Sequence, residues 1–311
     1  MLKLDGMVAF VAVVEARSIS EAARRLRLSK SVVSERLTEL ERSLGITLLH
    51  RTTRKLSVTE DGLRFHERAS RIVQEVNDAA TEMSERHGAL AGPLRISCPV
   101  SFGTLHVGPA LYPFLDENPG IELTLDLEDR FVNVTTDGFD AVVRHGPLGD
   151  NRLVAKRLAH SRRVLVASPA YLERHGRPKA IADLERHRGI VYTNRGLVDW
   201  RFNVNGRMTV VRPVHSLCVN NATIMRDAAI AGLGITLLPT FQTYTAVAAG
   251  ELSVVDVKAE PESATIYIAY PKEKRVSAKL RALTEHLRKT FGDPPYWDSK
   301  VPGRRVGMFS G

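Results

Sequence analysis

The sequence lacks most of the features that mark secreted and membrane proteins. It contains only two cysteines, Cys98 and Cys218, in 311 residues, which is too few for a disulfide framework or a zinc cluster. No stretch approaches the about 18 uninterrupted apolar residues that a membrane-spanning helix needs. Residues 1–18 are largely apolar, but Asp5 and Glu15 interrupt them and no signal-peptide cleavage pattern follows. These absences favour a cytoplasmic protein with no membrane partner, whose two thiols are small buried side chains.

Catalytic motifs are missing as well. The sequence shows no His/Cys cluster at metal-ligand spacing, no glycine-rich phosphate loop and no nucleophile elbow. Residues 232–235, GLGI, form only a short turn before a strand and lack the rest of a dinucleotide fingerprint. The sequence therefore predicts neither a metal nor a cofactor, and we expect a protein that is not an enzyme.

Positive charge is abundant and unevenly distributed. The formal net charge is +9 at pH 7. Residues 1–58 contain eleven Lys or Arg and six Asp or Glu, so a net charge of +5 lies in less than a fifth of the chain. A basic segment this concentrated indicates a polyanionic partner such as nucleic acid.

The N-terminal segment has the apolar spacing of three short helices, with apolar residues recurring at three- and four-residue steps. Ser18 or Ser20 can cap the second helix. Ser29 caps the third, and Gly45 suits its C-terminal end. The second and third helices meet at a tight turn over 27–29, which is the pattern of a helix-turn-helix.

Residues 46–59 change to extended character around a polar, basic tip, which predicts a β-hairpin wing. A helix-turn-helix lays its second helix in the major groove of DNA, and a wing meets the flanking backbone or the minor groove. The residues that we expect to contact double-stranded DNA are Ser29, Lys30, Ser31, Ser34, Glu35 and Arg36 in the third helix and its cap, and Arg51, Arg54 and Lys55 in the wing. The alternative is a solvated charged face on an ordinary three-helix bundle.

A long helix is predicted over 60–87, with one narrow apolar stripe and an opposite face rich in Arg, Glu and Asp. The stripe consists of Ala69, Ile72, Val73, Val76, Ala79, Ala80 and Met83. Such a helix most often pairs with a copy of itself, so we expect a homodimer. The alternative is a helix packed on its own chain.

Residues 9–62, from AFVAVVEARSISEAARRLRLSKS to RTTRKLSVTEDG, resemble the DNA-binding domain of LysR-type transcriptional regulators. The stretches SCPVSFG, FDAVVRHGPLGDNRLVAKRL, VLVASPAYL and AAIAGLGITLLP are similar to that family's effector-binding domain, especially in its CrgA-like subgroup. The family often has Gln and Arg where this chain has Lys30 and Glu35, so the operator sequence cannot be copied from relatives.

The resemblance implies an α/β protein with an N-terminal winged helix-turn-helix, a long linker helix and a two-lobe effector domain like a periplasmic binding protein. The strand and helix patterns divide the chain in the same way. The expected boundaries are 1–59 for the DNA-binding domain, 60–87 for the dimerisation helix, 88–93 for a hinge, 94–291 for the effector-binding domain and 292–311 for a mobile tail. The continuous apolar strands near 162–169 and 234–239 favour a parallel sheet.

A small-molecule site in a two-lobe α/β domain lies where strands end and helices begin, between the lobes. The residues predicted at these positions are Ser101, Phe102, Thr104, Arg144, His145, Thr193, Asn220 and Asn221. Hydroxyls, helix N–H groups and a guanidinium suit a small effector that carries a carboxylate or an aromatic ring. Each residue can also be an ordinary cap or loop residue.

The leading interpretation is a sequence-specific, effector-responsive transcription regulator. It would bind an interrupted palindromic operator as a homodimer and assemble further into a homotetramer. One alternative is a thiol-based redox-sensing regulator that uses Cys98 and Cys218. Another is an enzyme or solute-binding protein whose N-terminus merely resembles a regulator.

Overall fold

The computed structural model describes residues 2–51, 56–85, 90–130, 132, 134, 137–146, 150–193, 199–204, 206–272 and 276–302. The chain divides into two compact units, Met1–Ala91 and Gly92–Gly311. No helix among these residues is long and apolar enough to cross a membrane.

The first unit has the predicted order of helices and strands. Its elements are α1 (Leu4–Ala16), α2 (Ile19–Arg25), α3 (Lys30–Leu44), β1 (Leu49–Arg51), β2 (Leu56–Val58) and α4 (Glu60–Glu85). Strands β1 and β2 pair antiparallel, with Leu49 opposite Val58, and form the wing. The three helices, the wing and the long helix are thus confirmed.

Local chemistry sets the helix ends in this unit. The Ser18 hydroxyl accepts a hydrogen bond from the Glu21 backbone N–H, so Ser18 rather than Ser20 caps α2. The Ser29 hydroxyl caps α3 by accepting from the Val32 N–H. Gly45 ends α3 in the left-handed conformation, with a φ of 69°.

The long helix α4 packs partly on its own unit. Ala69 is fully buried in the core, and the rings of Phe10 on α1 and Phe65 lie 5.6 Å apart. Ile72 and Val76, by contrast, remain 44% and 42% exposed. The apolar stripe therefore serves two surfaces, because Phe65 and Ala69 near its start fill the core, whereas Ile72 and Val76 further along the helix form an uncovered edge. For Ala79, Ala80 and Met83, only the backbone lies in the described part of the chain.

The second unit begins with a mixed five-stranded sheet of order β4-β3-β5-β15-β6. Its strands are β3 (Gly92–Cys98), β4 (Ile121–Leu127), β5 (Ala141–His145), β6 (Leu153–Ser161) and β15 (Ala264–Pro271). Strand β3 runs parallel to β4 and β5, and β15 runs antiparallel to β5 and β6. Its helices are α5 (Val100–Phe102), a π-helical turn (Gly103–Val107), α6 (Gly108–Glu117) and α10 (Ala278–Phe291).

A second five-stranded sheet has the order β11-β8-β12-β7-β13. Its strands are β7 (Arg163–Ala167), β8 (Arg188–Tyr192), β11 (Val214–Val219), β12 (Ile235–Pro239) and β13 (Ser253–Val254). Its helices are α7 (Pro169–His175), a 3₁₀ helix (Ile181–Arg186), α8 (Ala222–Ile230) and α9 (Thr240–Ala248). A small sheet of order β10-β9-β14 contains β9 (Trp200–Val204), β10 (Arg207–Val211) and β14 (Glu260–Pro261).

The chain leaves the first sheet after β6, enters the second at β7 and returns through β15, which confirms the two lobes that the family resemblance implied. The expectation of a parallel sheet for the two apolar strands holds only in part. Strand β12 runs parallel to β8, but β7 and β12 are antiparallel, with Leu165 opposite Leu237. A continuous apolar run reports burial on both faces of a sheet and does not encode strand direction.

Two expected boundaries also need correction. The hinge over 88–93 overlaps β3, because Gly92 already pairs with Ile121. The mobile tail over 292–311 is wrong for its first part: a 3₁₀ helix spans Tyr296–Lys300, and Trp297 is fully buried. An indole side chain buries enough apolar surface to hold a short segment in place. Residues 303–311 lie outside the described residues.

Candidate functional site

Helix α3 presents a narrow, polar outer face. Its inner face consists of Val33, Leu37 and Leu40, which are buried against α1 and α2. At about 100° per residue, the side chains opposite this core face are those of the exposed residues Ser31, Glu35, Thr38 and Arg42. Three of these four side chains are short or of medium length, so the helix backbone can approach a second surface closely.

The start of α3 carries the other predicted residues. Lys30 is exposed beside the helix N-terminus, and the hydroxyls of Ser29 and Ser31 lie 2.8 Å apart. Ser34 is half-buried, and its carbonyl oxygen accepts a hydrogen bond from the Thr38 hydroxyl at 2.9 Å. These residues form the rim of the outer face next to the free N–H groups of the first turn.

Arg36 does not lie on this outer face, contrary to the prediction. Its guanidinium forms an ion pair with Asp5 on α1, with an N···O distance of 3.1 Å. The helical spacing places Arg36 beside the α1–α3 contact, where a Cβ built at Gly6 would lie 3.4 Å from the Arg36 carbonyl oxygen. The sequence-based interpretation treated Arg36 as outward-facing because it considered residue type without the rotation of the helix.

Two contacts position the start of the wing against α3 and α4. The Glu41 carboxylate accepts hydrogen bonds from the backbone N–H groups of Leu48 and Leu49, at 2.8 and 3.0 Å. A Cβ built at Gly62 on α4 would lie only 2.2 Å from the Leu48 carbonyl oxygen. The wing is therefore fixed to both helices through its first strand.

The wing tip itself is only partly described. Arg51 contributes its backbone to β1, where it pairs with Leu56. The side chain of Arg51, and the whole of Arg54 and Lys55, lie outside the described residues. Sequence reasoning missed Thr38 and Arg42 on the outer face of α3, although a 100° spacing from Val33, Leu37 and Leu40 identifies both.

The second unit contains a cavity of about 190 Å³ between its two five-stranded sheets. Apolar and aromatic side chains make up most of its wall. These include Phe102, Val191, Trp200, Met225, Leu237, Leu238 and Phe241. Polar and charged side chains also line it, namely Ser101, Asp129, Arg130, Arg144, His145, Arg163, Tyr192 and Asp199. An apolar cavity with a few polar groups is the usual form of a small-molecule site.

Four predicted effector residues, Ser101, Phe102, Arg144 and His145, line this cavity. The other four do not. Thr104, Thr193 and Asn220 are exposed elsewhere on the surface. Asn221 instead caps α8, because its side-chain oxygen accepts from the backbone N–H groups of Thr223 and Ile224. Residues that follow a strand often serve as helix caps, and the sequence does not separate caps from ligand contacts.

Arg144 is a buried cation in the cavity wall, with only 8% of its surface exposed. Its guanidinium donates to the Val143 carbonyl oxygen at 3.1 Å and to the Ser97 hydroxyl at 3.3 Å. Burial lowers the pKa of this guanidinium from its ordinary value. No ion pair within 4.0 Å joins Arg144 to a carboxylate of the described residues.

Asp129 occupies the helix N-terminus that was expected to hold an effector carboxylate. One of its oxygens accepts from the Val100 backbone N–H at 3.0 Å, and the other accepts from the Asn221 side chain at 3.4 Å. The Ser101 hydroxyl is hydrogen-bonded to the Thr223 hydroxyl at 3.1 Å. Both contacts connect the start of α5 to the start of α8, so they join the two lobes.

The remaining candidate side chains are His145 and the two cysteines. The His145 ring nitrogen Nε2 is hydrogen-bonded to the Ser161 hydroxyl at 2.7 Å. Cys98 is fully buried, and burial raises the pKa of its thiol, whereas Cys218 is exposed on β11. The expectation of two buried thiols is thus wrong for Cys218. Because Cys98 is inaccessible and its thiol is kept protonated, the geometry gives no support to a sensor that needs both thiols. The described residues contain no group of His, Cys, Asp and Glu that could hold a metal ion.

Comparisons with known proteins cover nearly the whole chain. The family profile "Bacterial regulatory helix-turn-helix protein, lysR family" matches residues 4–63, and the profile "LysR substrate binding domain" matches residues 87–292. The chain is 32% identical to the HTH-type transcriptional regulator DmlR of Escherichia coli over 93% of this chain and 95% of that protein.

Solved structures give the same result. The structure of CrgA, a LysR-type transcriptional regulator from Neisseria meningitidis, matches with a TM-score of 0.58 and 31% identity, covering 92% of this chain and 99% of that chain. The full-length structure of the Vibrio cholerae virulence activator AphB matches with a TM-score of 0.60 and 26% identity, covering 92% of this chain and 98% of that chain.

Proposed function

The chain belongs to the LysR family of bacterial DNA-binding transcriptional regulators, which are not enzymes, and on that premise we propose which surfaces carry its function. Helix α3 reads the operator, α4 pairs with a second copy, and the cavity between the lobes holds the effector. A homodimer of α4 helices would place two reading heads on an interrupted palindromic site. Further assembly into a homotetramer belongs to the same proposal.

One observation carries the DNA-binding part, namely the outer face of α3 with Ser31, Glu35, Thr38 and Arg42. Hydroxyl and carboxylate groups can hydrogen-bond to base edges, and Arg is the residue most often found on guanine or phosphate. The face contains no large apolar side chain that would hold the helix out of the groove. Ser29, Lys30 and Ser34 would contribute at its N-terminal rim, and Arg51, Arg54 and Lys55 would contact the flanking backbone.

Selection of bound sites from a random DNA pool tests this face with a matched pair of variants. Glu35→Gln changes a side chain on the outer face and should alter the preferred base at one position, by about 1–3 kcal/mol of discrimination. Glu39→Gln makes the same change on the same helix, but Glu39 is paired with Lys3 at 2.7 Å. It should leave the selected sequence unaltered. Identical sequences from Glu35→Gln and the unmodified protein would contradict the assignment.

The dimer proposal rests on the uncovered edge of α4. Ile72 and Val76 are four residues apart and expose nearly half of their apolar surface. A second α4 would cover this edge, and Val76→Asp would place an unpaired charge in it, which is costly. We expect Val76→Asp to sediment as a monomer and to lose operator affinity.

Leu63→Asp is the matched control, because Leu63 is also exposed on α4 but lies about 140° around the helix from Val76. It should keep the assembly state of the unmodified protein. The same sedimentation experiment separates a dimer from a tetramer. A Val76→Asp protein that stays assembled would show that another surface holds the copies together.

The cavity supports a small effector that bears a carboxylate or an aromatic ring. Ser101, Phe102, Arg144 and His145 lie in its wall with a predominantly apolar lining. A ligand that binds one arrangement of the lobes better than another would shift their equilibrium and thereby change DNA affinity. Thermal-shift measurement with small metabolites, followed by DNA titration with and without each stabilising compound, tests this step.

A further inference from the structure

We propose that the cavity takes an aromatic acid with a single ring and a single carboxylate, and that Arg144 rather than the start of α5 anchors the carboxylate. This ligand class rests on the proposed effector function of the cavity. It follows from three observations, namely the absence of an ion pair at Arg144, the hydrogen-bond or ion-pair partners of other charged side chains in the wall, and the volume and lining of the space.

Arg144 has unused hydrogen-bonding capacity where water is scarce. A guanidinium carries five N–H donors, and the two hydrogen bonds of Arg144 go to neutral oxygens of Val143 and Ser97. More than nine-tenths of its surface is buried, and the carboxylates of Glu128 and Asp129 act on its charge only from beyond ion-pair distance. A buried charge is costly unless a partner of opposite charge is close. A carboxylate in the cavity would supply that partner in a bidentate geometry.

The other charged side chains of the wall already have partners. Asp199 is paired with Arg212 at 2.9 Å, and Arg130 is paired with Glu128. Asp129 accepts from Val100 and Asn221, and Arg163 also has an interaction partner. Arg144 is therefore the buried cation of the described wall that can take a carboxylate. One guanidinium binds one carboxylate in a bidentate geometry, which favours a monoacid.

The position of Asp129 decides between two anchors. Its carboxylate accepts the hydrogen bond from the Val100 N–H, which an effector carboxylate would otherwise accept. The Ser101 hydroxyl is hydrogen-bonded to the Thr223 hydroxyl. An effector carboxylate at the start of α5 would have to displace the carboxylate of Asp129, which carries the same charge. At Arg144 it would displace nothing that the described residues contribute.

The rest of the space suits one aromatic ring. Phe102, Trp200 and Phe241 provide aromatic faces and edges, and aliphatic side chains fill the gaps between them. A cavity of ~150 Å³ in another protein holds one benzene molecule, so about 190 Å³ accommodates one ring with a carboxylate. Two fused rings with the same group would not fit without rearrangement.

Isothermal titration of the full chain with benzoate, benzamide and 2-naphthoate tests charge and size separately. Benzoate and benzamide have nearly the same shape, so the ratio of their affinities measures how much the negative charge of the carboxylate contributes to binding. We expect benzoate to bind roughly ten- to a hundredfold more tightly than benzamide, the range for hydrogen bonds to a charged group. The two-ring acid should bind more weakly than benzoate. Binding of none of the three, or equal binding of benzoate and benzamide, would overturn the proposal.

Variants locate the anchor. Arg144→Gln should reduce the affinity for benzoate to that for benzamide, while benzamide binding persists and reports that the cavity is intact. Arg157→Gln makes the same substitution at an exposed arginine of β6 outside the wall and should change neither affinity. Ser101→Ala should retain most of the preference for benzoate. A preference for benzoate that survives Arg144→Gln and is lost in Ser101→Ala would place the anchor at α5 instead.

The effector function is read out separately, as the DNA affinity measured with and without saturating benzoate. Unchanged DNA affinity despite tight, Arg144-dependent binding would contradict the effector function of this ligand class and leave the binding site established. A changed DNA affinity that is insensitive to Arg144→Gln would support an effector function and overturn the anchor.

Discussion

One buried histidine of the second unit, His106, should make the stability of that unit depend on pH. His106 lies in the π-helical turn, and its ring nitrogens are hydrogen-bonded to the Tyr296 hydroxyl at 2.6 Å and to the Phe241 carbonyl oxygen at 3.0 Å. The rings of Phe102 and Trp297 lie 5.2 and 4.6 Å from it. Burial lowers the pKa of His106 from 6.5 to about 4, although the hydrogen bond to Phe241 acts in the opposite direction.

The sign and size of the effect follow from this lowered pKa. Between pH 6.5 and about 4 the unfolded chain binds a proton at His106 that the folded chain does not bind, so the free energy of unfolding falls as the pH falls through this window. The loss amounts to about 2 kcal/mol at pH 5 and approaches about 3 kcal/mol below pH 4. Above pH 7 the histidine is neutral in both states, and its contribution to stability no longer changes.

Urea denaturation at pH 7 and pH 5 measures the effect, with tryptophan fluorescence as the signal. Both tryptophans of the chain, Trp200 and Trp297, lie in the second unit, so the signal reports that unit alone. The variant His106→Gln keeps a polar side chain and removes the titration. Its loss of stability between pH 7 and pH 5 should be about 2 kcal/mol smaller than that of the unmodified protein. An equal loss in both proteins would refute the role of His106.

The remaining predictions concern the first unit. Gly62→Ala should destabilise the wing junction by roughly 1–3 kcal/mol, because the new Cβ meets the Leu48 carbonyl oxygen, and thermal unfolding measures this. Arg36→Gln and Asp5→Asn should each cost less than about 1 kcal/mol, as expected for a partly exposed ion pair, and neither should change the base preference in a DNA selection. A changed base preference in Arg36→Gln would place its guanidinium on the DNA.

Helix periodicity and caps were readable from the sequence because they depend on neighbours a few residues away. The apolar spacing of α3 and the N-cap role of Ser29 are local properties, and both predictions are confirmed. The apolar runs that form β7 and β12 in the second unit were also recognisable as strands. The family resemblance added the two-lobe architecture of the second unit, whereas the helix-turn-helix pattern had already indicated the DNA-binding role of the first.

Long-range contacts set the features that the sequence did not reveal. The direction of β7 relative to β12 depends on how the chain enters the second sheet. Arg36 faces α1 because the core of the first unit fixes the rotation of α3. Asp129 was absent from the predicted site, since its partner Asn221 lies 92 positions away along the chain. Charge alone does not tell whether a polar residue will meet a ligand or another part of the same protein.

The residues that follow α10 form a second layer behind the cavity. Trp297 packs at 5.9 Å from the ring of Phe102 and 6.2 Å from the ring of Phe241, and both of these rings line the cavity on their other side. A smaller side chain at position 297 would let the two rings retreat and would deepen the space available to a ligand. The size of the cavity therefore depends partly on Trp297, a residue that is not itself part of the cavity wall. Experiments that aim to change which compounds bind in the cavity should therefore vary position 297 as well as the residues of the cavity wall.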